Sequence, residues 1–336
     1  MTGAFALKLG ISHQRPEQLT GSHLAYLRQM GVECLEVRTG SDHSSLDEIR
    51  EIKQTIQDAG LHLHQIMLAG TYNSDRFALG LPGCDDDILS FQRFIRDLGK
   101  AGVGYTSYCW QSGGTYATGA TETRGCPTRL FESFEAVRRP NAYDRTYSDE
   151  EVWDNYASFI KQVLPVAEDA GVRLQLHPND PPVNHQGVAR IFRSTDAFRR
   201  AMEIAGHSPF SGIKFCVGTW AEMLGPDGQG EDVEAAIREF GSLGRIYEVH
   251  FRNVSSTLPD FHETFPDNGY LNMYRIARAL AEVGYHGMIV PDHVPQCTES
   301  DAGPNAGEAY TFGYIRALIQ AVETELGNRR PFPSQD

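Results

Sequence analysis

The stretch RLQLHPNDPP, Arg173–Pro182, decides how this chain is read. Leu174 and Leu176 alternate with Arg173 and Gln175, the period of two that marks a strand. The strand ends on His177, and Pro178, Asn179 and Asp180 then turn the chain into Pro181 and Pro182. Prolines fix φ, so this turn is held stiffly. A histidine at one strand end proves little, and its meaning depends on how the other strands end.

Working outward from His177, apolar runs of strand character alternate with runs of helical period. The first half has FALKLG (Phe5–Gly10), VECLEVR (Val32–Arg38), LHLHQIML (Leu61–Leu68) and YTSYCW (Tyr105–Trp110). The second half has VRLQLH, ending at His177, then GIKFCVG (Gly212–Gly218), RIYEVHFRN (Arg245–Asn253) and GMIVPDH (Gly287–His293). Helices are expected after each, among them 45–59, 86–100, 149–170, 195–205 and 306–325. MGVE, AGLH, AGVG, AGVR and VGYHG place a glycine between helix and next strand, the signature of a helix C-cap and a short αβ turn. Eight such units predict an α/β fold, a (β/α)₈ TIM barrel. A doubly wound open sheet is the competing fold. It usually carries a Gly-rich phosphate fingerprint after its first strand, and ISHQRPEQ stands there instead. One barrel domain over residues 1–336 is expected, with 111–148 a long active-site loop, since that span exceeds an ordinary connection.

In a barrel of this kind the active site lies at the C-terminal ends of the strands. Strand five ends at His177, strand six carries Cys216, strand seven His250, and strand eight Asp292 with His293 beside it. Imidazole, thiolate, imidazole and carboxylate thus converge on one rim. Singly, each has a plainer reading: a hydrogen-bonded histidine, a small core cysteine, a turn aspartate. Together they suit a divalent transition metal, and manganese, iron, cobalt and zinc are all admissible. His13, His23, His43, His185, His207 and His286 read as surface or turn residues, and His62 and His64 as strand residues. SGGTYATG reads as a mobile loop, since it lacks the GK[ST] ending of a phosphate cradle.

The bulk numbers narrow the function classes. The chain has 336 residues, 40% hydrophobic, and a net charge of −14. A general nucleic-acid or anionic-membrane binder needs a basic surface, so neither partner is expected. The six cysteines show no CxxC spacing and read as free thiols of a reducing compartment. The N-terminal residues lack the pattern of a secretory signal, and no run reaches ~18 apolar residues. A cytoplasmic protein is expected.

LPVAEDAGVRLQLHPNDPP, FCVGT, YEVHFRNV, FHETF with MY beyond it, and VPDH follow one another through the second half. In that order they resemble the mannonate dehydratase family, within the xylose-isomerase-like barrels. The first half is similar at LGLPGCDDDI and at YTSYCW with its arginine-containing loop. The resemblance implies a Mn²⁺-dependent hydro-lyase, with Fe²⁺, Co²⁺ or Mg²⁺ as substitutes. It would convert D-mannonate or a related aldonic acid to 2-dehydro-3-deoxy-D-gluconate. It implies His177, Cys216, His250 and Asp292 as metal ligands and His293 with Tyr310 of EAYTFGY as the acid–base pair. Arg252 and Asn253 would contact substrate, as would Asn179 and Asp180 of the stiff loop. Arg124 of TETRGC would clamp the carboxylate, and His262 would cap the pocket or bond a sugar hydroxyl. A homo-oligomer is the expected assembly. Three motifs depart from the family: Asn179 replaces an aspartate in its HPDDPP, TFPDNGYLNMY replaces its Ser-Gly-Asp pattern after FHE, and the segment around Tyr310 is not its commonest form.

The nearest rival is a metal-dependent sugar isomerase or epimerase on the same barrel. Enzymes of that group favour carboxylate ligands, and Cys216 argues for the dehydratase. A barrel nuclease needs a basic groove that −14 does not supply. A non-catalytic sugar-acid sensor would have no need of His293 beside Asp292.

Overall fold

The computed structural model describes residues 5–225, 227–297 and 305–327. Eight parallel strands form the barrel: β1 (Ala6–Gln14), β2 (Cys34–Thr39), β3 (His62–Leu68), β4 (Tyr105–Cys109), β7 (Arg173–His177), β8 (Ser211–Cys216), β9 (Ile246–His250) and β12 (His286–Val290). They run in the order β3-β2-β1-β12-β9-β8-β7-β4, and β3 lies against β4 at the seam. Helices α1 (Gly21–Gln29), α2 (Leu46–Asp58), α5 (Cys84–Ala101), α7 (Asp149–Ala170), α8 (Thr195–Ile204), α10 (Val233–Ser242), α11 (Met273–Glu282) and α12 (Ala306–Glu325) follow the strands. Short helices α3 (Ala69–Tyr72), α4 (Asp75–Leu79), α6 (Ser133–Val137) and α9 (Val217–Glu222) shape the connections at the mouth. Among the described residues no helix is long and apolar enough to cross a membrane.

Helix α7 shows why the sequence folds this way. The Ser148 side chain accepts the Glu151 N–H, and Asp149, Glu150 and Glu151 sit in the first turn, where they complement the helix dipole. Gly171, at φ 69°, ends the helix in the left-handed region, which costs a glycine nothing. Between these signals Val152, Tyr156, Phe159, Val163 and Ala167 recur on one buried face. Phe159 stacks among Phe77, Phe91, Tyr108 and Trp110 at centroid distances of 5.0–6.1 Å. Truncating it to alanine would cost about 3–5 kcal/mol, as large aromatic deletions do.

The segment 111–148 differs from the expected loop. It folds into a hairpin of β5 (Gly119–Thr123) and β6 (Cys126–Glu132), followed by α6. Strand β6 pairs antiparallel with β11 (Asp260–Thr264), and β11 with β10 (Asn253–Val254), which makes a second, four-stranded sheet. Since β10 begins three residues after β9, this sheet stands over the C-terminal end of the barrel. SGGTYATG is tied down as well. The buried Arg190 guanidinium donates to the carbonyls of Ser112 and Gly114 at 3.1 and 2.6 Å, and Tyr116 stacks on His185 at 3.4 Å.

Candidate active site

Three of the four expected donors come together directly. One donor atom each of His177, Cys216 and His250, all buried, lies within 4.8 Å of the other two. Asp292 completes the group, with Oδ2 3.6 Å from Cys216 Sγ and Oδ1 3.4 Å from His250 Nδ1. His177 Nδ1 lies 2.7 Å from the Pro178 carbonyl, so it carries the proton and Nε2 is the free nitrogen. The stiff turn after His177 thereby fixes its tautomer. Burial disfavours a charged Cys216 thiolate. The Arg252 guanidinium and contacts from His177 and His250 outweigh that, and the thiol is brought down to about 5. For Asp292, burial is likewise outweighed, by His293, His250 and Arg252, and its carboxyl is held well below the usual range.

Arg252, expected to contact substrate, lies among the carboxylates of the site. Its guanidinium is buried and makes four hydrogen bonds within the protein, to Asp180 Oδ2 and Glu222 Oε1 at 2.6 Å and to Asp292 Oδ2 and Thr219 Oγ1 at 3.0 Å. It fixes the Asp292 carboxylate. Asn179 and Asn253 are likewise structural. Asn179 donates to the Trp110 carbonyl at 3.0 Å and accepts the Phe192 N–H at 2.7 Å. Asn253 donates to the carbonyls of Pro266 and Leu271 and accepts the N–H of Val254 and Leu271. All four hydrogen bonds an asparagine side chain can make are therefore taken. Asp180, between Arg252 and His293, remains at the site, its Oδ2 3.8 Å from His293 Nδ1.

His293 adjoins the donors, with Nε2 3.9 Å from Asp292 Oδ1. Its Nδ1 lies 2.6 Å from Glu263 Oε1. Burial lowers the imidazole pKa, but Asp292 and Glu263 more than offset it and raise the group to about 9. Arg129 Nη1 approaches Nε2 at 3.4 Å, a contact that favours the neutral ring, so cation and carboxylates compete over this proton. Glu263 was missed in the sequence, where its neighbour His262 was preferred. On β11 successive side chains point to opposite faces, so with Glu263 at His293, His262 faces the other way. Of the loop arginines, Arg129 rather than Arg124 reaches the site. Arg124 pairs with Asp267 and lies over the rings of Phe265 and Tyr310 at 5.2 and 5.9 Å. Tyr310, 44% exposed, packs edge-on against Phe265 at 5.6 Å. These residues form a cluster of their own, and its Phe265 stands two residues along the chain from Glu263.

Beneath the donors lies a layer the sequence reading passed over. Gln175, Lys214 and Glu248 each precede a donor by two residues and therefore share its face. With Glu36 and Gln65 they are fully buried inside the barrel. Lys214 pairs with Glu36 and lies 3.3 Å from Glu248 Oε1, and Gln65 donates to both carboxylates. Glu248 Oε1 is 3.4 Å from His250 Nε2. His13 also belongs to the site and not to a surface turn. A ring nitrogen of His13 lies within 4.8 Å of donor atoms of His250 and Asp292.

The donor set fits a divalent cation. Both ring nitrogens of His250 are buried without a well-formed hydrogen bond, Nδ1 facing Asp292 and Nε2 facing Glu248, each at 3.4 Å. The thiolate and the Asp292 carboxylate face one another at 3.6 Å, where a cation between them would relieve the repulsion. Nitrogen, sulfur and oxygen donors together suit a transition metal.

The family model of D-mannonate dehydratase (UxuA) matches residues 122–329. Mannonate dehydratases of Thermotoga petrophila and Thermotoga maritima are 29% and 28% identical, over 83% and 82% of this chain and 86% of each relative. The crystal structure of mannonate dehydratase from Streptococcus suis serotype 2 superposes with a TM-score of 0.85 at 24% identity, covering 99% of this chain and 98% of that one. A 3-keto-D-glucoside 4-epimerase from E. coli shares the fold at a TM-score of 0.64 and 14% identity, over 93% and 99% of the two chains. The family model spans more than half of the sequence and includes all four donors with His293 and Glu263, so this chain belongs to the D-mannonate dehydratase family.

Proposed function

We infer that the protein is a metal-dependent dehydratase of aldonic acids, with D-mannonate the first substrate and 2-dehydro-3-deoxy-D-gluconate the product. The observation that carries this reading is the two-histidine, one-cysteine, one-aspartate cluster with a carboxylate-held His293 at its edge. His177, Cys216, His250 and Asp292 would hold the cation, Mn²⁺ in this proposal. Once bound it would supply Lewis-acid stabilisation of the charge that develops when C2 loses its proton. The chain itself must supply proton transfer and a grip on the substrate carboxylate. His293 transfers the proton, and Glu263 holds its Nδ1 so that Nε2 faces the site. Arg129, exposed at the mouth, offers a guanidinium for the carboxylate. Asp180 lines the pocket beside His293. Tyr310 and Arg124 complete the mouth, with Tyr310 as the second proton-transfer group. The four-stranded sheet restricts water over the rim.

The remaining parts of the proposal are a single catalytic barrel domain, a cytoplasmic location, no nucleic-acid partner and a homo-oligomer. Phe134 and Val137, 69% and 78% exposed beside the hairpin, support association of copies. The test follows formation of a 2-keto-3-deoxy acid with Mn²⁺ across mannonate, gluconate, other aldonates and the corresponding aldoses. Product from aldonates alone is expected. Interconversion of free aldose and ketose without dehydration of any acid would establish an isomerase instead.

A further inference from the structure

His13 stands on a backbone shaped to present it. Strands β1 and β2 pair Ile11 with Leu35 and Gln14 with Val37, so β1 holds one more residue than its partner across this step. That is a β-bulge, a device that re-aims a side chain beside a site. His13 lies in it at φ 58°, in the left-handed region that few residues other than glycine adopt. The Glu36 carboxylate sets its orientation. Glu36 Oε1 accepts the His13 N–H at 3.2 Å and lies 3.6 Å from the ring Nδ1. Glu36 is itself fixed by the buried Lys214 and Gln65. Nδ1 thus faces a carboxylate at ion-pair distance. A histidine whose other nitrogen faces a carboxylate has the arrangement of a metal ligand.

The ring is aimed at the same donors. Its centroid is 6.0 Å from that of His250, and a His13 nitrogen, a His250 nitrogen and an Asp292 oxygen lie within 4.8 Å of one another. His250 belongs also to the separate group of His177 and Cys216, so His13 approaches from the β1 side a residue that the two groups share. Strand order agrees, since β1 is the neighbour of β12, the strand that leads to Asp292.

We propose that His13 is a fifth protein ligand of the divalent cation, joining the four strand-end donors. This rests on the metal-centre reading above. It makes cation affinity depend on a residue of the first strand, through Glu36 and Lys214.

The test uses purified, chelator-treated protein titrated with Co²⁺ alone, reading stoichiometry, affinity by competition with a chelating dye, and the visible spectrum. His13→Gly and His13→Asn are the variants, because both residues accept the left-handed backbone; circular dichroism and thermal unfolding establish that each is folded. Wild type should bind one Co²⁺ with a thiolate-to-cobalt band. His13→Gly should bind it roughly tenfold or more weakly, with the thiolate band kept and the ligand-field bands intensified as the coordination number falls. Equal affinity and an unchanged spectrum in both variants would overturn the proposal while the four-donor centre stands. A second Co²⁺ in wild type that His13→Gly abolishes would also overturn it, in favour of two cations. Failure of wild type to bind Co²⁺ with a thiolate band would instead overturn the metal-centre reading.

Discussion

Glu263 Oε1 lies 2.6 Å from His293 Nδ1, so the imidazole at the edge of the donor cluster is oriented by a carboxylate from a different sheet. Two consequences can be measured. His293→Asn should lower kcat by about 10²–10⁴-fold, the usual size of an acid–base contribution, with metal content near wild type. Glu263→Gln keeps an acceptor but removes a charge that raises His293. The limb of the pH–rate profile that belongs to His293 should therefore move to lower pH, since Glu263 is one of the charges that raise it. A Glu263→Gln profile that overlays wild type would remove Glu263 from this role.

Arg129 and Arg124 separate in a substrate titration. Arg129 Nη1 is 3.4 Å from His293 Nε2, whereas Arg124 is spent on Asp267. Arg129→Ala should raise KM for aldonates severalfold or more, and Arg129→Lys should recover only part of the loss, since a lysine cannot grip a carboxylate bidentately. Arg124→Ala should change KM little. The opposite ranking would return the clamp to Arg124.

These two arginines show what the sequence could and could not disclose. The four donors were legible because His177, Cys216 and His250 each end a strand-like run and Asp292 stands two residues beyond the fourth. Arg129 and Glu263 were hidden because they lie on β6 and β11, strands of a second sheet built from segments that read as loops; only their pairing across the sheet places them. His13 was hidden by the bulge, which breaks the alternation that would have assigned its face. The buried layer was readable in principle. Gln175, Lys214 and Glu248 are polar residues in otherwise apolar strands, each two positions before a donor. Arg252, Asn179 and Asn253 sit in recognisable motifs, yet a motif does not say whether a side chain faces the substrate or braces its neighbours.

Cys216 gives a pH prediction. An ordinary thiol titrates at 9.0, and in the folded chain Cys216 is brought down to about 5. Between those values the unfolded chain holds a proton that the folded one has released. Stability of the chelator-treated protein should therefore rise with pH from about 5 to about 9, and this contribution is lost as pH falls through about 5. Thiolate ultraviolet absorbance should show one group titrating near 5, absent in Cys216→Ser. A thiolate signal that first appears above about pH 8 would refute the assignment.

Lys214 supports the centre from below, and its removal should be felt in stability before activity. The ammonium is fully buried, pairs with Glu36 and lies 3.3 Å from Glu248 Oε1. Burial alone would lower its pKa, but Glu248 and Glu36 outweigh that and raise it. Burial would push the Glu248 carboxyl up, yet Lys214 and His250 hold it below its ordinary value. Lys214→Met keeps the length and leaves both carboxylates without their cation. Breaking a buried pair from one side costs about 3–5 kcal/mol, which urea unfolding at neutral pH would read as a lower midpoint. The deficit should shrink toward acid pH. Glu248 contributes stability above its unfolded pKa and loses it as pH falls through its depressed folded value, so wild type loses an advantage the variant never had. Co²⁺ affinity should drop as well, because Glu36 orients His13 and Glu248 lies 3.4 Å from His250 Nε2. A variant as stable as wild type at neutral pH would mean that the two carboxylates find another cation or a proton without cost.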